Sequence, residues 1–194
     1  TAKPVIFAER PAFYREQYSE IYDVKLYTLA GTLVEIPYLL VSSVFFVIPY
    51  FWIIGFDKGD VAVKFFWYWL YQGLFMSTMV YFGHLLASIL PNAETAHVLG
   101  GMCITLFNLF CGFMIKPSDF PDFWIFMYWL NPVHYVIEGL ITTQFNRDHT
   151  LISITGSTDV VTAQTFVGDF YNDWHYSARG YDILALGLFI VVLR

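Results

Sequence analysis

Few residues in this chain of 194 could carry chemistry. Five histidines, His84, His97, His134, His149 and His175, have no Cys or acidic companions at metal-ligand spacing, so no metal site is expected. Cys103 and Cys111 lie eight residues apart in one apolar run. On a helix that is about 12 Å of rise, too far for a disulfide whose Cα atoms sit within about 7 Å. They read as small apolar packing residues. Serine, histidine and aspartate all occur without a nucleophile motif, and no G-x-x-x-x-G-K-[ST] loop supplies a phosphate cradle. No catalytic residue is expected, and no cofactor in this segment.

What remains is a small set of polar groups in apolar surroundings. Glu35 is the acidic residue well inside the first long apolar run. An ionisable group at that depth costs roughly 2.5–3.5 kcal/mol on insertion scales, so it should face a bundle or water and have a partner. A structural polar network, a conformational relay and a proton-coupled group are the readings open to it. Asn108 is the corresponding amide further along, because a buried amide needs partners or a ligand. The aromatic run Phe65–Tyr71 fits a membrane-interface belt better than a ligand cage.

These residues are held by a chain that cannot cover itself in water. Hydrophobic residues make up 57% of it, charged residues 13%, and the mean hydropathy is +0.55. A soluble domain is nearer a quarter charged. The formal charge of -6 excludes a nucleic-acid surface, which needs clustered Lys and Arg. The chain opens without Met or a signal-peptide pattern. It stops inside the apolar run Ile183–Leu193, shorter than the roughly 20 residues a span needs. A piece of a longer protein is expected, of all-α class, folded as a polytopic transmembrane helix bundle.

Residues 1–25 alternate charges with Phe7, Phe13, Tyr14, Tyr18, Ile21 and Tyr22. Tyr14, Tyr18 and Ile21 recur at helical spacing, which predicts an amphipathic surface helix near Arg10–Tyr22. Spans are expected at 26–54, bent by Pro37 and Pro49, at 61–89, and at 96–115 with Gly100, Gly101 and Gly112 for close helix approach. Asp60 and Asn92 are candidate caps for the second and third. The stretch 117–145 is broken at Pro121 and Asn131-Pro132, which predicts two short helices that dip into one leaflet and return. Residues 146–180 read as a polar soluble loop and 181–194 as the start of another span. Four of the ten Lys and Arg fall in the first 25 residues, which places that end in the cytoplasm and 117–180 outside.

The order of these pieces carries a resemblance. Glu9-Arg10-Pro11-Ala12-Phe13-Tyr14-Arg15-Glu16 is followed by Leu33-Val34-Glu35-Ile36-Pro37-Tyr38. Phe110-Cys111-Gly112-Phe113-Met114-Ile115 and Trp129-Leu130-Asn131-Pro132-Val133-His134-Tyr135 come next, then Gly139-Leu140 and Gln144. Together they resemble the pleiotropic drug resistance branch of the ABC transporter G subfamily, over nearly the whole chain. The resemblance implies an ABC-2 type transmembrane domain of an exporter, part of its second membrane-spanning domain.

It implies that Glu9, Arg10, Phe13, Tyr14, Arg15 and Glu16 couple to a nucleotide-binding domain. Ile104, Thr105, Asn108, Phe113 and Met114 would line a cavity or its apolar gate, and Glu35 would serve a polar relay. The partners implied are that nucleotide-binding domain, a second transmembrane domain, membrane lipids and a hydrophobic small-molecule substrate, at the plasma membrane. ATP and Mg would belong to the full protein. Cysteines common in the last extracellular loop of the wider subfamily are missing from 146–180, and so is an N-x-[ST] sequon. A passive channel or a non-transporting membrane scaffold is the alternative function.

Overall fold

Between residues 24 and 54 the only charges are Lys25 and Glu35, and the chain has no glycine or polar break long enough to stop a helix. In the computed structural model it forms one continuous helix, and Pro37 and Pro49 are accommodated inside it. The structure describes residues 2–19, 23–55, 60–115, 120–145, 151–153, 160–171, 174 and 176–193. The helices are α1 (Ala2–Tyr18), α2 (Val24–Ile54), α3 (Val61–Ile89), α4 (Ala93–Leu109), α5 (Ile125–Trp129), α6 (Pro132–Phe145), α7 (Ala163–Phe170) and α8 (Arg179–Leu193). Single 3-10 turns precede α5 at Asp122–Trp124 and α8 at Tyr176–Ala178. Helices dominate, as an all-α chain requires. The one exception among the described residues is an antiparallel ribbon of β1 (Leu151–Ser153) and β2 (Val160–Thr162). The expected polar loop 146–180 thus holds a ribbon, α7 and the start of α8.

α3 is the central element, packed against α2, α6, α8, α4 and α1. Its inner face builds two aromatic cores. Tyr71 meets Tyr135, Val136 and Leu186, with Trp67, Leu74, Phe75, Ile183 and Phe189 around them. Tyr68 meets Val47 and Phe51 of α2, with Phe65 and Trp69 alongside. Gly139 on α6 admits the Tyr71 ring, since a Cβ there would fall 2.1 Å from it.

Two segments, Leu26–Ile54 and Tyr176–Leu193, are long and apolar enough to cross a membrane. α3 has the length, 29 residues, but its Tyr, Trp, Gln and His dilute its hydropathy.

Three local expectations change. The first helix begins at Ala2 rather than near Arg10 and ends at Tyr18, while Ile21 and Tyr22 lie outside the described residues. The caps drawn from Asp60 and Asn92 make no side-chain hydrogen bond. Their backbone carbonyls accept the first intrahelical bonds, Asp60 from the Lys64 N–H and Asn92 from the Ala96 N–H. The third span, expected at 96–115, stops at Leu109, because Gly112 adopts φ +84° and the chain bends from Phe110 onward. At 17 residues α4 is about 25 Å long, below the ~30 Å of a bilayer core.

The carbonyls freed at that end are satisfied from the side. Asn131 Nδ2 donates to the Phe107 carbonyl and the Cys111 thiol to that of Asn108 at 3.0 Å. Asn131 also caps α6, accepting from the Val133 N–H at 3.0 Å, with Pro132 at the first helical position.

Candidate functional site

α1 meets α3 through one side chain. The Arg10 guanidinium donates to the carbonyls of Leu90 at 3.0 Å and Ser88 at 3.1 Å, and to that of Ala87. These are terminal carbonyls of α3, and Pro91 has no N–H to pair the one at Ala87. A cation here also meets the negative end of the helix dipole. Arg10 is therefore engaged with the end of α3. Phe13 is likewise half-buried, its ring 5.1 Å from that of Tyr27 and 5.9 Å from that of Tyr14. Tyr14, Arg15 and Glu16 are exposed on the same helix. The Glu9 side chain lies outside what the structure describes.

One helix end further in, Glu35 finds the partner its depth demands. His84 Nε2 of α3 lies 3.4 Å from Glu35 Oε1 of α2, with both side chains part-buried. The two groups couple the helices at the level just above the Arg10 clamp. From sequence, His84 is a histidine without metal-ligand companions. The apolar run around it, which needs a polar neighbour for Glu35, was the available signal.

Ile104, Thr105 and Asn108 share one face of α4, and all three are exposed. Thr105 Oγ1 donates to the Gly101 carbonyl at 2.9 Å and Asn108 Nδ2 to that of Ile104 at 2.8 Å. Both polar groups thus bond within their own helix. Phe113 and Met114 are 53% and 73% exposed, but they lie in the bend beyond the end of α4. The expected continuous stripe from Asn108 to Met114 is replaced by a helical face followed by a turn.

That bend is covered by an aromatic clasp. Trp174 stacks on Tyr171 at 4.0 Å with planes 6° apart, and Tyr171 lies parallel to Phe113 at 6.3 Å. Trp174 Nε1 donates to the Tyr128 hydroxyl at 3.1 Å, and the Tyr128 ring rests 3.9 Å from His134. A Cβ at Gly112 would sit 2.7 Å from the Tyr128 ring, so glycine is needed there for space as well as for its φ.

Sequence reasoning gave no role to the polar row on α6. His134, Glu138 and Thr142 recur at i, i+4 and i+8, all buried. His134 Nε2 lies 3.4 Å from Glu138 Oε2, and Thr142 donates to the Glu138 carbonyl at 2.7 Å. Gln144 Nε2 reaches the Lys64 carbonyl of α3 at 3.2 Å. The helical spacing of His134 and Glu138 was the visible signal. Among the described residues no group of three His, Cys, Asp or Glu could hold a metal ion.

Residues 1–145 match the family described as ABC-2 type transporter. ABC transporter G family member 38 of Oryza sativa subsp. japonica is 33% identical over 193 residues, 100% of this chain and 12% of that protein. ABC transporter G family member 43 of Arabidopsis thaliana is 34% identical over 190 residues, 97% of this chain and 13% of that protein. ABC transporter G family member 36 of Arabidopsis thaliana is 30% identical over 171 residues, 88% of this chain and 12% of that protein. The chain spans about an eighth of the length of these curated relatives. It belongs to the ABC-2 type transporter family, as an integral membrane part of a transporter with homologues in the ABC transporter G family.

Proposed function

We propose that this chain is part of a membrane domain of an ATP-driven exporter of the pleiotropic drug resistance type. The exporter moves hydrophobic drugs, other xenobiotics or lipids out across the plasma membrane. α1 lies on the cytoplasmic side and receives the motion of a nucleotide-binding domain, where ATP and Mg act. Tyr14, Arg15 and Glu16, exposed on α1, meet that domain, and Arg10 passes the motion on. Segment 117–145 dips in from the outer face, below an extracellular loop. The uncovered face of α4 with Ile104, Thr105 and Asn108, followed by Phe113 and Met114, looks onto a cavity shared with a second transmembrane domain. A greasy surface carrying an occasional polar group suits flat hydrophobic substrates.

The observation that carries this reading is the Arg10 clamp. It joins α1 to the end of α3, the helix on which α2, α6 and α8 all pack. A push on α1 therefore reaches the bundle through a charged contact rather than through loose surface packing. In the complete transporter Arg10→Gln should lower substrate-stimulated ATPase and export together. The expected loss is roughly tenfold, the equivalent of a charged hydrogen bond of about 1.5 kcal/mol. Basal ATPase and surface delivery should persist. Undiminished stimulation in the variant would reject coupling through α1. Substrate flux that continues without ATP would favour a passive channel.

A further inference from the structure

Where α3, α6 and α8 meet, a carboxyl is sealed in without a counter-ion among the described residues. Asp182, in the first turn of α8, is 1% exposed. Its Oδ1 has no hydrogen-bond partner among the described residues, and its Oδ2 accepts from the Tyr71 hydroxyl of α3 at 3.5 Å. Tyr71, fully buried, also lies 3.1 Å from the Arg179 carbonyl. A phenol has one proton to donate. Both contacts draw on that one proton, so Asp182 Oδ2 shares its donor with the Arg179 carbonyl.

The surrounding groups offer the carboxyl little further compensation. α3 presents Tyr71, α6 presents Glu138 and Tyr135, the 3-10 turn before α8 presents Tyr176, and α8 itself presents Arg179 and Tyr181. Arg179 is the one cation of that set. Its guanidinium lies over the rings of Trp67 at 4.9 Å and Tyr176 at 4.3 Å, and donates to the Tyr176 hydroxyl. Glu138, the other carboxylate, has His134 at 3.4 Å. Asp182 has no such companion among the described residues. An ionised carboxylate buried without a cation costs several kcal/mol, and taking up a proton removes that cost.

We propose that Asp182 is a proton-binding site, holding a proton while α3, α6 and α8 are packed and releasing it when that seam opens to water. The exchange balances as carboxylic acid going to carboxylate, with the proton passing to the water that enters. Closing the seam reverses it. Any rearrangement that parts α8 from α3 and α6 is thereby linked to pH, and alkaline conditions favour the parted state.

The test uses the full-length transporter carrying this segment, reconstituted in lipid nanodiscs. Asp182→Asn keeps the shape of the neutral carboxyl. Infrared difference spectra between wild type and variant should show loss of a protonated-carboxyl C=O band. The wild-type melting temperature should fall as the pH is raised from mildly acidic to alkaline, and the variant should lose most of that fall. If Asp182→Asn does not reach the membrane, Tyr71→Phe serves instead. It removes the phenolic oxygen and should shift the same band. No protonated-carboxyl band at all, or a band unmoved by either variant, overturns the proposal. So does a wild-type stability that rises with sodium or potassium and loses that response in Asp182→Asn, which would mark a metal-cation site.

Discussion

α2 and α6 both lie against α3, yet their compositions point in opposite directions. α2 turns Leu33, Val34, Tyr38, Val41, Phe45, Trp52 and Ile53 outward, and keeps Ser43 fully buried against α3. α6 turns His134, Glu138, Thr142, Thr143 and Gln144 inward, where all are buried. In water this pattern would be inside-out, with apolar rows exposed and polar rows hidden. Against hydrocarbon it is the stable arrangement. Lipid tails accept apolar side chains at no cost, whereas a polar group must find its partners inside the protein. The two helices thus divide the work: α2 supplies surface matched to lipid, and α6 holds a buried polar row paired mainly within itself, with Gln144 reaching the Lys64 carbonyl of α3.

The contrast is most easily broken on α6. Gly139→Ala puts a methyl group 2.1 Å from the buried Tyr71 ring. With α8 packed behind that ring, the expected cost is about 3 kcal/mol. It should appear as a sharp drop in melting temperature and in the fraction of transporter delivered to the membrane. Gly101→Ala on α4, where a Cβ meets nothing within 4 Å, is the matched control and should be near neutral. Equal stability of the two variants would show that α6 packs less tightly than described.

A smaller effect sharpens the comparison at another polar contact between α2 and α3, beside that of Glu35 with His84. Trp69 Nε1 donates to Ser43 Oγ at 2.9 Å. Trp69→Phe should cost about 1 kcal/mol, and adding Ser43→Ala should recover part of it in a double-mutant cycle. Strict additivity would mean that the hydrogen bond contributes nothing. The smallest change is expected on the outer face of α2. Leu33→Ala and Phe45→Ala should each shift stability by less than about 0.5 kcal/mol in nanodiscs. A larger loss would identify that face as covered by protein rather than lipid.

The same division explains what could be read from the residues alone. The ends of α2 and α3 were legible because apolar runs meet charged or glycine-rich turns there, and the observed bounds differ from those expected by two residues at most. The end of α4 was hidden, because Phe110-Cys111-Gly112-Phe113-Met114-Ile115 continues the apolar run past the last helical turn. The side chain that satisfies the carbonyl of Phe107 there is Asn131, supplied 24 residues later. The need for a partner at Glu35 followed from its depth, but the identity of His84 depended on how α2 and α3 cross. Arg10 and Phe13 lie in a charged stretch of sequence, while their neighbours in space are the end of α3 and the ring of Tyr27. The polar row of α6 went unassigned because its breakers, Pro121 and Asn131-Pro132, drew attention to where the chain turns rather than to what it buries.

The clasp of Trp174, Tyr171 and Tyr128 over the bend at Gly112 fastens the segment before α8 without a covalent bond. Residues 146–180 contain no cysteine to add one. A loop held by a disulfide is sensitive to thiol reductants and oxidants, and opens only through chemistry at sulfur. Stacked rings and a single hydrogen bond have no redox potential, and they part and re-form on the timescale of side-chain motion. This lid is therefore indifferent to the oxidising or reducing character of its surroundings, and it is a reversible fastening that can release and re-close without an enzyme to remake it.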